Sequence, residues 1–193
     1  MRQHPKRWAS AAALAAAALA AACTAQPSSH KSTQPAPTGS WALQSVKPAV
    51  VDPELQSQID ALPAASGSRI LGVADIAGSR LVIAVRGDTC QALTLSVTGH
   101  AGTGPSAISA PRPNVADAAP KAHKEFPGNL LAGPYTQVSG VAEPYFQYVT
   151  MGCSENEIAV RLEGFDPNEG VSLKGDGARS WVEGKYLYVT IGR

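Results

Sequence analysis

Charged residues are scarce in this chain of 193 residues. Asp, Glu, Lys and Arg make up 16% of it, whereas soluble domains usually contain about 25%. The chain also holds 18 Gly and 15 Pro, which favour turns over long helices. This composition excludes a coiled coil, a helical bundle and a collagen-like fibre. The formal net charge of +1 also argues against a dedicated nucleic-acid-binding protein, because such proteins usually carry a strongly basic face.

Motifs of well-known catalytic chemistry are missing as well. The sequence has no Gly-x-Ser-x-Gly, Cys-x-x-Cys or His-Glu-x-x-His segment, which are signatures of serine hydrolases, thiol redox proteins and zinc proteases. Beyond residue 22 the histidines are His30, His100 and His123, in segments that we expect to be a tether and a loop. Such segments lack the fixed neighbours that a general base or metal ligand needs. We therefore expect no catalytic residue, no metal site and no cofactor.

The longest apolar run is too short to cross a membrane comfortably. Residues 8–22 follow three basic residues, and 11 of the 14 residues from Ala9 to Ala22 are alanine. A transmembrane helix needs about 20 apolar residues. The run therefore predicts a secretory signal peptide over residues 1–22. The alternative is a short membrane anchor that is never cleaved.

The segment Leu19-Ala20-Ala21-Ala22-Cys23 resembles the lipobox of bacterial lipoproteins. In that family, a cysteine after three small or aliphatic residues receives a diacylglyceryl group and becomes the first residue of the mature chain. The family usually has leucine three residues before the cysteine, whereas this chain has Ala20 there and Leu19 one position earlier. The resemblance implies lipidation of Cys23 and anchoring outside the cytoplasm at the bacterial cell membrane. The competing outcome is ordinary signal peptidase cleavage at an Ala-x-Ala-like site.

The odd number of cysteines supports lipidation. The chain has three, Cys23, Cys90 and Cys153, and an odd cysteine in an exported protein needs an explanation. If Cys23 carries lipid, Cys90 and Cys153 remain as one pair, and a disulfide is the expected state of such a pair outside the cytosol. This bridge closes a loop of about 64 residues and contributes roughly 4 kcal/mol in the chain-entropy estimate. Two buried free thiols are the alternative.

The segment after Cys23 predicts a tether followed by a short helix. Residues 23–50 are rich in Pro and Ser, which predicts a disordered tether. Trp41 is the one large aromatic residue there, and it either docks on the folded body or lies near the membrane surface. Asp52-Pro53-Glu54 predicts a helix start. The apolar stripe that follows extends this helix over about residues 53–62.

Short strand patterns follow the helix. Two strand-like runs, 70–76 and 81–86, flank a turn, and alternating apolar residues mark further strands up to the C-terminus. The run Leu81-Val82-Ile83-Ala84-Val85 is apolar on both faces, which predicts a central strand covered on both sides. Seven or eight such strands predict a mainly β domain over residues 51–193. We expect a β-sandwich or small barrel, immunoglobulin-like in architecture at most.

Residues 99–134 interrupt the strand pattern. They are rich in Pro and Gly and show no clear period, so we expect a disordered or irregular surface loop. An insertion of this length in a compact domain is often functional. The insertion is therefore a candidate partner-facing element.

Four tyrosines form the candidate binding surface. Tyr186 and Tyr188 alternate with aliphatic residues in the last strand pattern, and Tyr145 and Tyr148 lie in a facing or neighbouring strand. Exposed tyrosines on a sheet stack on sugars or anchor a protein interface. The alternative is that a second sheet, the short helix or the insertion covers them and that they stabilise the sheet across strands.

These patterns favour a non-catalytic, extracytoplasmic binding or envelope-interaction module held to the membrane by lipid. Its expected partners are the lipid bilayer, through acylated Cys23, and an unknown envelope protein or glycan. We do not expect nucleic acid, because loss of residues 1–22 leaves 13 Lys and Arg against 15 Asp and Glu, a net charge of −2. The alternative is a small extracellular hydrolase or an enzyme inhibitor that uses the 99–134 loop. A purely structural envelope protein is a third interpretation.

We predict that Cys23→Ser releases the chain from membranes, because the acyl chains would supply its membrane affinity. Cell fractionation with immunoblotting measures the shift from the membrane to the soluble fraction, and Thr24→Ala serves as the control that stays membrane-bound. Unchanged membrane partitioning of Cys23→Ser would contradict the lipoprotein interpretation.

Overall fold

Two five-stranded antiparallel sheets face each other in the computed structural model. The structure describes residues 39–97, 105–114, 126–127, 130–166 and 168–192. All of them belong to the unit Pro35–Arg193. In chain order, the elements are a 3-10 helix Ala42–Ser45, α1 Pro53–Asp60, β1 Arg69–Ile76, β2 Ser79–Arg86, β3 Thr89–Ser96, β4 Ser106–Pro111, β5 Tyr135–Ala142, β6 Phe146–Ser154, β7 Glu157–Glu163, β8 Val171–Gly175, β9 Arg179–Glu183 and β10 Tyr186–Gly192.

Neighbouring hairpins build most of each sheet. The first sheet has the order β4-β3-β2-β1-β8, and the second sheet has the order β5-β6-β7-β10-β9. Strand β8 therefore belongs to the first sheet, whereas β9 and β10, which follow it in the chain, belong to the second sheet. Each sheet ends in two edge strands, so the architecture is a sandwich and not the small barrel that the sequence left open.

The described residues form ten strands instead of the predicted seven or eight. The two that the prediction missed, β4 and β9, are both edge strands. Strand β4 lies within the 99–134 segment, where we expected an irregular loop, and it pairs with β3 along its whole length. Its small residues hide the alternation, and Pro111 at its end is tolerated because an edge strand needs fewer hydrogen bonds. The residues 99–104, 115–125 and 128–129 of that segment lie outside the described residues.

The predicted doubly covered strand is β2. Leu81 and Ile83 pack between the two sheets, together with residues of the facing strands. Val82 points to the other face of the first sheet, where it joins a second apolar cluster with Leu55 and Ile59 of α1. The apolar run of β2 thus matches its two buried faces.

Helix α1 begins as the sequence predicts and ends at Asp60, two residues before the expected bound. The Asp52 carboxylate accepts a hydrogen bond of 2.8 Å from the backbone N–H of Leu55, and Pro53 occupies the first turn. This hydrogen bond lowers the pKa of Asp52. Leu62 follows the helix and still packs against the same cluster.

The predicted disulfide is confirmed. Cys90 on β3 and Cys153 on β6 are bonded, with Cα atoms 5.9 Å apart, and both are fully buried between the sheets. We call this side of the sandwich the disulfide end, and the opposite side the distal end. Among the described residues, the strand connections at the distal end include residues 77–78, 143–145, 164–166 with 168–170, and 184–185.

Trp41 docks on the folded body, which is one of the two positions that the sequence left open for it. Its position also moves the start of the packed body into the segment that we assigned to the tether. Its side chain is 1% exposed and belongs to the main core, and its Nε1–H donates to the Ser154 carbonyl at 3.3 Å. The Arg112 guanidinium lies 5.8 Å from the Trp41 ring centroid. The packed body therefore begins near residue 41, within the segment that we assigned to the tether, because burial of this indole outweighs its polar sequence context.

The Arg112 side chain connects Gly39, the first described residue, to the turn after β6. Its Nε and Nη2 groups donate to the two carboxylate oxygens of Glu155, at 3.0 and 2.6 Å, and its Nη1 donates to the carbonyl of Gly39 at 3.1 Å. The Glu155 carboxylate raises the pKa of Arg112. Since Glu155 follows β6 directly, residue 39 lies at the disulfide end.

We predict that Trp41→Ala lowers the free energy of unfolding by about 3–5 kcal/mol, the usual cost of truncating a buried aromatic side chain. Urea denaturation with the disulfide intact measures this loss. Val50, which is 86% exposed, offers the control Val50→Ala, with an expected change within about 0.5 kcal/mol. A Trp41→Ala protein as stable as that control would show that the indole does not belong to the core.

Candidate functional site

The structure does not bring the four predicted tyrosines onto one surface. Tyr145 lies in the β5–β6 connection and packs against the main core between the sheets. The neighbouring residues Val149, Leu187 and Val189 point into the core. Because side chains alternate along a strand, Tyr148, Tyr186 and Tyr188 lie on the outer face of the second sheet. Tyr148 is 51% exposed, whereas Tyr188 is 5% exposed. The candidate surface therefore narrows to the outer face of the second sheet.

Strand register arranges that face in rows. Tyr148 of β6 pairs with Glu163 of β7, Glu163 pairs with Tyr186 of β10, and Tyr186 pairs with Glu183 of β9. This row lies nearest the distal end. The next row toward the disulfide end is Thr150, Arg161, Tyr188 and Trp181. Tyrosine and glutamate thus alternate across the first row, whereas the second row places two aromatic side chains next to each other.

The aromatic side chains of β9 and β10 are packed among themselves. Trp181 and Tyr188 stack with ring centroids 5.3 Å apart, and Tyr186 meets Tyr188 edge-on at 6.4 Å. The Arg161 guanidinium lies 4.5 Å from the Tyr186 ring centroid. Burial raises the pKa of the Tyr188 hydroxyl. These contacts correspond to the alternative in which Tyr186 and Tyr188 stabilise the sheet across strands.

Part of the 99–134 segment covers the half of this face near the disulfide end. Phe126 and Leu131 are buried in a cluster with Ala159 and Tyr188. They rest over Gly152 of β6, where a side chain would overlap Leu131 and come within 3.1 Å of the Phe126 ring. Glycine at this position therefore leaves the space that these two side chains fill.

No described residue from outside the sheet packs over the other half of the face in this way, and we call that half the distal patch. Its apolar members are Tyr148 and its cross-strand neighbour Val141, which is 56% exposed. Beside them lies an open depression of about 410 Å³, the distal depression. The residues that line it are Gln147, Glu163, Gly164, Phe165, Gly184 and Lys185. The patch and the depression share the row that contains Glu163.

One ion pair supplies the charges of the distal depression. The Lys185 ammonium donates to a carboxylate oxygen of Glu163. This hydrogen bond raises the pKa of Lys185. Lys185 also lies 5.3 Å from the Tyr186 ring centroid. Because the two charges neutralise each other, the walls of the depression offer hydrogen bonds without a net charge.

The polar side chains of this site can form hydrogen bonds. Gln147 offers an amide that donates and accepts hydrogen bonds, and Glu163 offers acceptor oxygens. Within the described ranges, no three His, Cys, Asp or Glu side chains are placed to hold a metal ion. All the histidines lie outside those ranges, so the structure does not test their expected lack of a role. No helix among the described residues is long and apolar enough to cross a membrane.

Comparison with known proteins returned no matching family model, no similar curated protein and no similar solved structure.

Sequence reasoning named Tyr148 but missed the residues around it. Glu163 follows the alternating pattern of β7, so its outward direction is readable from the sequence. Gln147, Phe165 and Lys185 lie in or beside strand connections, and no periodic pattern marks them. Their proximity depends on the pairing of β6, β7 and β10, which are distant in sequence.

We predict that Gly152→Val lowers the free energy of unfolding by about 1–3 kcal/mol, because the new side chain overlaps Leu131 and Phe126. Urea denaturation measures the loss, and hydrogen exchange should show faster exchange at residues 130–131. A Cβ atom on Gly170 would meet no atom within 4 Å, so Gly170→Val is the matched control. Equal stability of the two variants would argue against the packing of Phe126 and Leu131 on this face.

Proposed function

We propose that this chain is a lipid-anchored, extracytoplasmic binding module without catalytic activity, and that it binds an envelope component at the distal patch. The observation that carries the proposal is the exposure of Tyr148. Half of its side chain is open to solvent on a sheet face whose other aromatic side chains are buried or packed together. Adjoining exposed apolar side chains beside a depression are typical of interaction sites.

The position of the patch supports this proposal. The chain enters the body at the disulfide end, where Arg112 holds the carbonyl of Gly39. The distal depression lies among the strand connections of the opposite end. A module tethered through residues 23–38 would therefore present the patch away from its attachment point. The Pro- and Ser-rich composition of those residues suits such a tether.

The described parts of the 99–134 segment support the fold rather than a separate activity. Strand β4 completes the first sheet, and Phe126 and Leu131 cover the second. These roles give no positive reason to prefer a hydrolase or an inhibitor that acts through this segment. The distal patch is the better candidate for contact with another molecule.

We predict that a photoreactive phenylalanine at position 148 forms a covalent adduct with an envelope component in intact cells. The same photoreactive residue at position 58, on α1 and on the outer face of the other sheet, is the control and should form none. Gln147→Ala should weaken the adduct from position 148, because it removes one wall of the depression. Gel shift after irradiation measures the adduct. Absence of an adduct at position 148, or equal adducts at both positions, would contradict the proposal.

A further inference from the structure

We infer that a second copy of this chain pairs with the free edge of β9, so that the two β9 strands run antiparallel and Trp181 faces Trp181 of the partner subunit. The second sheets of the two copies, each of five strands, then form one continuous sheet. Three observations carry this inference: β9 is an uncovered edge, its charges match when it pairs with itself, and its centre is apolar. The pairing strand is distinct from the residues that line the distal depression.

The two sides of the sandwich differ in how their edge strands are covered. On one side, β4 and β5 lie against each other across the two sheets. The Ser106 hydroxyl donates to the Val141 carbonyl at 3.2 Å, and the Thr136 hydroxyl donates to the Pro111 carbonyl. On the other side, β9 pairs with β10 alone among the described strands. An edge strand without such cover offers its free N–H and C=O groups to another strand.

The sequence of β9 is complementary to itself in the antiparallel direction. When Trp181 faces its own copy, Arg179 comes opposite Glu183 of the partner subunit, and the reverse pair forms by symmetry. These side chains share the outer face of the sheet, since Trp181 stacks on Tyr188 there and side chains alternate along a strand. Arg179 attracts the Glu157 carboxylate, but neither Arg179 nor Glu183 forms a salt bridge with a described residue. Both are therefore available for ion pairs across the new strand pair.

Other pairings of the uncovered edge strands lack this match. A parallel pair of β9 strands would place Arg179 beside Arg179 of the partner subunit, and like charges side by side repel. Strand β8, paired with itself about Leu173, would place Ser172 opposite the partner's Lys174 and join no opposite charges. Lysine in an edge strand also discourages the addition of another strand. The charges thus favour β9 and the antiparallel direction.

The centre of β9 supplies the apolar contact. Trp181 is half-buried against Tyr188, and Val182 is 47% exposed. In the paired strands the two Trp181 Cβ atoms stand about 5 Å apart, so the aromatic row of one sheet continues into the next. On the opposite face of the sheet, Val182 comes opposite Ser180 of the partner subunit. Burial of these apolar groups stabilises the pair.

The contact is small, so the dimer is weak in solution. Each copy contributes the five residues of β9, whereas a stable interface buries about 800 Å² on each partner. We expect a dissociation constant between about 1 μM and about 1 mM. A two-fold axis through the Trp181 pair places both outer faces, and hence both distal patches, on the same side of the dimer. In the proposed tethered state, confinement to the membrane raises the local concentration and favours this dimer.

Charge reversal tests the strand register. Sedimentation equilibrium of the full-length protein, in excess density-matched detergent, should show monomers and dimers. Arg179→Glu and Glu183→Arg each place like charges opposite one another at both ends of the strand pair, so each should weaken self-association by about tenfold or more. An equimolar mixture of the two variants should associate again, because carboxylates of one chain then face guanidinium groups of the other. The double variant should dimerise as the unchanged protein does, and Lys174→Glu on β8 is the control without effect.

Each outcome supports or overturns the inference. A chain that is monomeric at about 1 mM would overturn it, as would dimers that both charge reversals leave unchanged. If the folded single variants fail to associate and their mixture fails as well, the strands do not pair in this register. Urea denaturation checks the folding of each variant. If a charge reversal unfolds the protein, Arg179→Gln and Glu183→Gln replace it, and each should weaken self-association by about threefold.

Discussion

The Cys90–Cys153 bridge holds the two sheets together at one end of the sandwich. Its Cα atoms are 5.9 Å apart, whereas sheets packed face to face are usually about 10 Å apart, so the sheets converge there. Trp41 and the Arg112–Glu155 pair complete the packing of the same end. The polar side chains that line a depression on the second sheet lie at the opposite end, where strand connections surround an open space.

The outer face of the second sheet divides into a packed half and an open half. Gly152 and Ala159 leave room for Phe126 and Leu131, so a segment from outside the sheet buries that half. The Arg161 guanidinium lies over the Tyr186 ring, and Trp181 stacks on Tyr188. Tyr148 remains half exposed beside them. Under the proposed function, contact with another molecule accounts for this exposed ring.

Much of the fold could be predicted from the sequence, because its central strands carry strong patterns. The run around Ile83 marks a strand buried on both faces, and the number and spacing of cysteines indicate the bridge. The edge strands β4 and β9 escaped prediction because β4 consists mostly of small residues and β9 is only five residues long with charged residues at both ends, and edges bury less apolar area. Trp41 could not be placed, because one aromatic residue in a polar segment has no periodicity. The other residues of the candidate site escaped prediction for a different reason: Lys185 and Glu163 meet through strand register, which sequence patterns do not determine.

The separation of the two ends also suits a module that is held by its N-terminal segment. In the proposed tethered state, a pull on the chain reaches the body at Gly39, which is bonded to Arg112. Arg112 passes the load to Glu155 through two charge-assisted hydrogen bonds, and Glu155 lies two residues from the covalent bridge at Cys153. The strongest connections between the sheets therefore lie where the load enters.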